Sequence, residues 1–148
     1  MKTYIFLFTL VITFIISMNT TYASSLDDAV NVGDKLANHL ETFEKSINSG
    51  DIVSINEQYD GFSNDIKKVE RAIGKVSGKN KRDNLNAKYV RPAKIARERV
   101  IYEVSQYRLI NIIEGLFESG HDEKAKQNLA KLDRLKKGAV EIKNAGGY

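Results

Sequence analysis

The chain has 148 residues, of which 23 are Lys or Arg and 19 are Asp or Glu, giving a formal charge of +4. Cysteine is absent, which excludes thiol catalysis, thiolate metal sites and any disulfide framework, so folding depends on packing alone. A single proline, no tryptophan and an abundance of Lys, Glu, Ala, Leu and Ile favour long helices.

The opening MKTYIFLFTLVITFIISMNTTYASS places Lys2 before an apolar run from Tyr4 to Ile16, with small residues ahead of Ser24. This pattern predicts a secretory signal peptide over residues 1–23, cleaved after Ala23. An uncleaved anchor is the competing reading, but the run is shorter than the roughly 20 residues a spanning helix needs. No cysteine follows the cleavage point, so a lipid anchor is excluded. Residues 24–143 then read as one helical domain and residues 144–148 as a flexible tail.

Leu26, Ala29, Val30, Gly33, Leu36, Ala37, Leu40, Phe43 and Ile47 recur at steps of three and four, the apolar face of an amphipathic helix. Gly50 supplies its stop and Asp51 caps the next helix, so the two lie antiparallel. Ile52, Ile55, Tyr59, Phe62, Ile66, Val69, Ile73 and Val76 then form a coiled-coil-like seam. Gly61 and Gly74 in that helix suggest close helix approach. The stretch Gly74 to Lys79 resembles a phosphate loop but is one residue short, lacks the Ser or Thr and follows no strand, so it is rejected.

After a polar loop over 77–82, one long central helix is expected from a cap at Asp83 to Ser119, roughly 54 Å at 1.5 Å per residue. Pro92 either kinks it or separates a shorter helix. Beyond Pro92 the apolar residues span more than half the circumference, a face that needs two neighbours. Gly120 and Asp122 repeat the stop and cap of the first turn, and Ala125, Leu129, Leu132, Leu135, Ala139 and Ile142 face inward on the last helix. The expected fold is all-α: an elongated antiparallel bundle of three to four helices, built from two helical hairpins around one long central helix.

Charge is unevenly spread. Residues 75–99 hold nine basic side chains against Asp83 and Glu98, whereas residues 26–70 hold ten acidic against four basic. Lys81, Arg82, Lys88, Arg91, Lys94, Arg97 and Arg99 are the candidate polyanion-binding residues, with Lys88, Arg91, Lys94 and Arg97 forming a ridge at every third position. The partner this implies outside the cell is an anionic wall polysaccharide or teichoic-type polymer. The competing reading is a solvated face neutralised by the acidic first hairpin. A helical-hairpin scaffold for another secreted or surface protein is the alternative function. No helix-turn-helix, zinc finger or interleaved aromatic pattern points to nucleic acid, and no membrane association is expected once the leader is removed.

Catalysis finds no support. His39 and His121 are the only histidines, on different helices and without an HExxH pattern, so no metal site is assigned. His39 is expected to border the first core face and His121 to sit in the last turn. No GxSxG elbow or partnered nucleophile occurs, and neither enzyme activity nor a cofactor is expected.

The run YVRPAKIARERVIYEVSQYRLI, followed by LFESGHDEKAKQNLAKLDRLK, resembles the rod-like helical part of the SbsC-type surface-layer proteins of Gram-positive bacteria. The matching segments are Arg97 to Tyr102 and the turn from Gly120 to Ala125, and the hairpin around Ser46 to Ile55 is similar in outline. The resemblance implies a piece of a triple-helical rod whose basic residues bind anionic wall polymer, here Lys88, Arg91, Lys94, Arg97 and Arg99. It implies a protein associated with the cell wall, and since the sequence shows no sortase-type motif and no second apolar segment, non-covalent attachment is expected. The family's downstream β-domains do not occur in this sequence, so the resemblance extends to wall association and not to lattice formation.

Overall fold

The computed structural model describes the backbone of residues 2–144 and, of these, the side chains of residues 24–141 and 144. The described residues are all-α, with no strand among them. Helix α1 (Lys2–Ser49) is followed by α2 (Ile52–Gly74), α3 (Lys79–Leu85), a π-helical turn (Asn86–Val90), α4 (Arg91–Glu98), α5 (Ile101–Glu118) and α6 (Asp122–Asn144). The backbone of α1 runs through the expected cleavage point, while the side chains of the leader and of Ile142 and the whole tail over 145–148 lie outside what is described.

The first hairpin forms as its turn residues dictate. Gly50 adopts φ 71°, and the amides of Gly50 and Asp51 donate to the carbonyls of Ile47 and Ser46 at 3.1 and 3.2 Å. That pair of bonds closes a helix end around a left-handed residue. Asp51 Oδ1 then accepts from the Ser54 amide at 3.1 Å and caps α2. The seam residues Ile55, Phe62, Ile66, Val69, Ile73 and Val76 are all buried, and Phe62 stacks on Phe43 with ring centroids 4.4 Å apart. Contacts that climb one helix as they descend the other, Ser46 to Ser54, Phe43 to Phe62 and His39 to Asp65, establish that α1 and α2 are antiparallel.

The central segment departs from a single long helix. It begins at Lys79 behind Gly78, whose φ is 95°, four residues ahead of the expected cap. Asp83 lies inside α3 and accepts from Lys79 one turn back at 2.6 Å. Pro92 stands at the first turn of α4, where a missing amide hydrogen costs least. In the wide turn just before it, the Arg91 amide donates to the Asn86 carbonyl five residues back, so the ladder opens where a proline ring would clash with the carbonyl four residues upstream. A second break at Arg99 and Val100 (Val100 φ −121°) separates α4 from α5.

Two packing units result. α1, α2 and the α3–α4 segment share the main core, which Val104 of α5 also enters. Beyond it α5 pairs with α6 around a small separate core of Ile113, Ala125 and Leu132, flanked by Leu109 and Leu116. The broad apolar face of α5 is therefore only partly covered: Ile110, Ile112 and Phe117 are exposed, and Leu129, expected inward on α6, is exposed as well.

The close helix approach lies elsewhere than expected. A Cβ on Gly61 would meet nothing nearer than the His39 ring at 3.9 Å, and one on Gly74 nothing within 4 Å. On Gly33 it would lie 2.6 Å from the Tyr89 ring. Gly33 thus forms the notch on α1 that receives the π-turn tyrosine, which is 2% exposed.

Candidate functional site

The predicted cationic residues lie on α3, the π turn, α4 and the break that follows it. Their ridge does not present one outward face. Steps of three fall short of a 3.6-residue turn, so each successive side chain lags by about 60°. Two of its members consequently reach opposite flanks of the first hairpin: Lys88 stands 3.7 Å from Asp34 on α1, and Lys94 binds Glu70 on α2 at 2.6 Å.

Between them, exposed Arg91 has no partner among the described residues. It lines an open groove of about 610 Å³ with Lys94, Asn86, Glu70 and Asp83, over an apolar floor that includes Val90 and Ile95. Lys81 and Arg99 are likewise exposed and without a partner among the described residues. Arg82 is partly withdrawn, its Nη1 donating to the Val76 carbonyl at 2.9 Å and tying α3 to the preceding turn. Arg97 is half-buried; its Nη2 pairs with Glu98 at 2.5 Å, and its Nε is buried without a hydrogen bond. The structure thus brings Arg91 and Lys94 together and sends Lys88 and Arg97 to other tasks.

Lys88 belongs to a lock. Its Nζ donates to the Tyr89 hydroxyl at 2.6 Å, and that hydroxyl donates to Asp34 Oδ1 at 2.7 Å, while the ring fills the Gly33 notch. The hydrogen bond to Tyr89, aided by the Asp34 charge, holds the Lys88 ammonium above its ordinary pKa. A sequence signal for this lock existed in Gly33, a glycine in a face otherwise built from larger residues.

A second clamp was not legible in the pattern. Arg108 on α5 donates to Asn56 Oδ1 at 2.6 Å, pairs with Asp60 at 3.1 Å and stands 5.5 Å from the Tyr59 ring. It fastens α5 to α2 just beyond the break at Val100. Burial raises the pKa of the Tyr59 hydroxyl there, and the opposing Arg97 and Arg108 charges do not cancel the effect.

Both histidines lie where expected. His39 is half-buried, its Nδ1 2.9 Å from Asp65 and its ring edge-on to Phe62. Burial works against ionisation of Asp65, yet hydrogen bonds from Lys68 and His39 prevail and hold its carboxyl below the usual range. His121 is exposed in the last turn, 2.9 Å from the Ser119 hydroxyl. Among the described residues no three potential metal ligands converge, and no helix is long and apolar enough to cross a membrane.

These features define the chain first by class, as an all-α domain in which a basic segment lies over a long helical hairpin and borders a groove lined by Arg91 and Lys94 together with Glu70 and Asp83. The chain belongs to the SbsC C-terminal domain family, whose model matches residues 14–94. That stretch takes in the first hairpin, the π turn and the groove residues as far as Lys94. The resemblance read from the sequence therefore holds, although Arg97 to Tyr102 and the Gly120 turn lie beyond the matched residues. The fold is similar to that in the crystal structure of the S-layer protein rSbsC(31-844), with a TM-score of 0.68 and 22% identity. The match covers 82% of this chain and 19% of that one, so the chain spans about a fifth of that protein's length. No curated protein matches the sequence.

Proposed function

We propose that this chain is a secreted, non-catalytic structural module of the cell surface, held non-covalently at the wall by capture of an anionic wall polymer on the basic residues of its α3–α4 segment. In this reading residues 1–23 are a leader removed after Ala23. The remaining helices act as an antiparallel bundle that carries the groove as a stiff support. The observation that carries the proposal is Arg91, an unpaired guanidinium beside Lys94 in an open groove, within a segment of nine basic and two acidic residues. Membership of the SbsC C-terminal domain family and the likeness to an S-layer protein support a surface role.

The groove is lined by two acidic and two basic side chains, so a captured polymer must displace the pair that Lys94 makes with Glu70. Lys94 and Glu70 remain 46% and 38% exposed, and a pair of that kind contributes only about 0–1 kcal/mol. A phosphate- or carboxylate-bearing polymer that meets several cations at once displaces it readily. Lys81 and Arg99 extend the contact, while Arg82, Lys88 and Arg97 contribute charge from anchored positions.

Co-sedimentation with purified cell-wall sacculi tests the proposal, before and after the anionic polymers are stripped and across a salt series. Binding that falls with stripping and with salt is expected. Replacing Lys81, Arg91 and Arg99 by glutamine breaks no described internal contact and should weaken retention without changing the melt. Extending the change to Lys94 and Arg97 should abolish it. Retention unaffected by these substitutions would return the segment to a solvated face and overturn the polymer assignment.

A further inference from the structure

The α5–α6 hairpin presents apolar side chains that nothing among the described residues covers. Ile110 and Phe117 on α5 and Leu129 and Val140 on α6 are between 38% and 57% exposed. Ile110 and Phe117 stand two turns apart on one line of α5, about 80° around the helix from Leu109, Ile113 and Leu116, which face α6. Leu129 and Val140 stand three turns apart on α6, offset about as far and in the same sense from Ala125 and Leu132. In an antiparallel pair, equal offsets in one sense fall on one side, so the four residues share one side of the hairpin, with Ile110, Phe117 and Leu129 forming the strip and Val140 standing three turns beyond Leu129. Val104, buried in the main core, and Arg108, bound to α2, lie on the other side of α5. The strip therefore faces away from the first hairpin.

Charges border it unequally. Exposed Glu103 and Glu114 follow its outer edge on α5, and exposed Lys126 and Lys137 follow the edge on α6. The packing of Leu109, Ile113 and Leu116 on Ala125 and Leu132 sets Glu114 level with Lys126 and Glu103 level with Lys137. Asp133 lies on the α6 edge between those levels. Lys126 pairs with Glu123 on its own helix at 2.9 Å, but both are well exposed and such a pair is weak.

We propose that two copies of this chain associate through the strip, related by a two-fold axis running along the hairpin, so that α5 of each copy lies on α6 of the other. This arrangement buries the apolar residues of both copies and sets Glu114 against the second copy's Lys126 and Glu103 against its Lys137. An axis across the hairpin would instead lay α5 on α5 and oppose glutamates. The charges thus select one isologous dimer among the possible pairings. The association is independent of the wall-binding proposal, because it uses none of the groove residues.

Sedimentation equilibrium of the chain from Ser24 onward, whose span holds both described cores, tests the proposal. A concentration-dependent dimer is expected. Phe117→Ser, at an exposed position, should weaken it at least about tenfold while the melt stays cooperative. Glu114→Lys should weaken it as well, and adding Lys126→Glu in the same chain should restore it by reversing each cross-pair. A monomer at every concentration, a dimer indifferent to Phe117→Ser, or no restoration by the second charge reversal would each overturn this arrangement.

Discussion

The two hairpins of this protein are built from the same devices and reach different ends. Each closes on a left-handed glycine, Gly50 at φ 71° and Gly120 at φ 73°, with the same pair of backbone bonds: Gly120 to Phe117 at 3.0 Å and His121 to Leu116 at 2.8 Å repeat the first turn. Yet α1 and α2 have a third layer laid along them, and their core runs without interruption from Ala29 to Val104. α5 and α6 have only each other over most of their length, and three fully or nearly buried residues between them. Turn chemistry sets the hairpin; the third layer decides how much of its apolar face leaves water. Hydrophobic stabilisation follows area removed from water, so the two regions should differ in stability although their local patterns match.

The largest effect is expected in the first region. Ile66 is fully buried in the seam, and Ile66→Asp adds an unpaired buried charge to the loss of packing. The combined cost of several kcal/mol compares with a total stability of about 5–15 kcal/mol, so the variant should lose its cooperative melt in circular dichroism. A wild-type melt would contradict the seam.

Leu132→Ala sharpens the contrast. Its side chain is 7% exposed in the small core, and the cost should fall near the low end of the roughly 2–5 kcal/mol range for such truncations. Hydrogen exchange should quicken along α6 and leave α2 protected. Equal loss of protection in both helices would show that the two regions unfold as one.

Gly33→Ala probes the lock that holds the third layer. The added methyl meets the Tyr89 ring at 2.6 Å, and overpacking of this kind costs about 1–3 kcal/mol. A midpoint shift in denaturant is expected, and the same glycine substitution should add little further loss when made in a Tyr89→Ala background. Additive losses would place the close contact elsewhere.

The smallest effect is electrostatic. Because the Asp65 carboxyl titrates below its ordinary value in the fold, its contribution is present above the usual carboxylate range and is lost as pH falls through the folded value. Asp65 is part-exposed, so the contribution should be about 1 kcal/mol or less. Melting temperatures from neutral to acid pH should fall less steeply for Asp65→Asn than for the parent. An unchanged slope would remove His39 and Lys68 as its stabilising partners.

Much of the first region was legible from spacing alone. The seam in α2, the Gly50 stop, the Asp51 cap and the positions of both histidines follow from periodicity and turn chemistry, which act within a few residues of chain. The central segment was not. Pro92 announced a disturbance, but whether it would kink a helix, end one or be absorbed by a wider turn depended on which neighbour the following residues could pack against. Likewise the basic residues were identifiable by counting, whereas their division into the free Arg91, the paired Lys94 and the locked Lys88 depended on which acidic residues α1 and α2 bring alongside.

The amino-acid sequence by itself determined the helices, their stops and the segregation of charge, because 3.6-residue periodicity, capping and glycine conformation are local properties of the chain. Only the tertiary structure decided where the third layer lies against the first hairpin, that Gly33 rather than Gly61 or Gly74 makes the close approach, and that the second hairpin keeps an exposed strip. Those outcomes turn on contacts between residues more than fifty positions apart, such as Asp34 with Tyr89 and Asn56 with Arg108. No local pattern encodes such pairs, since each half looks like an ordinary solvent-facing position until the other is folded against it.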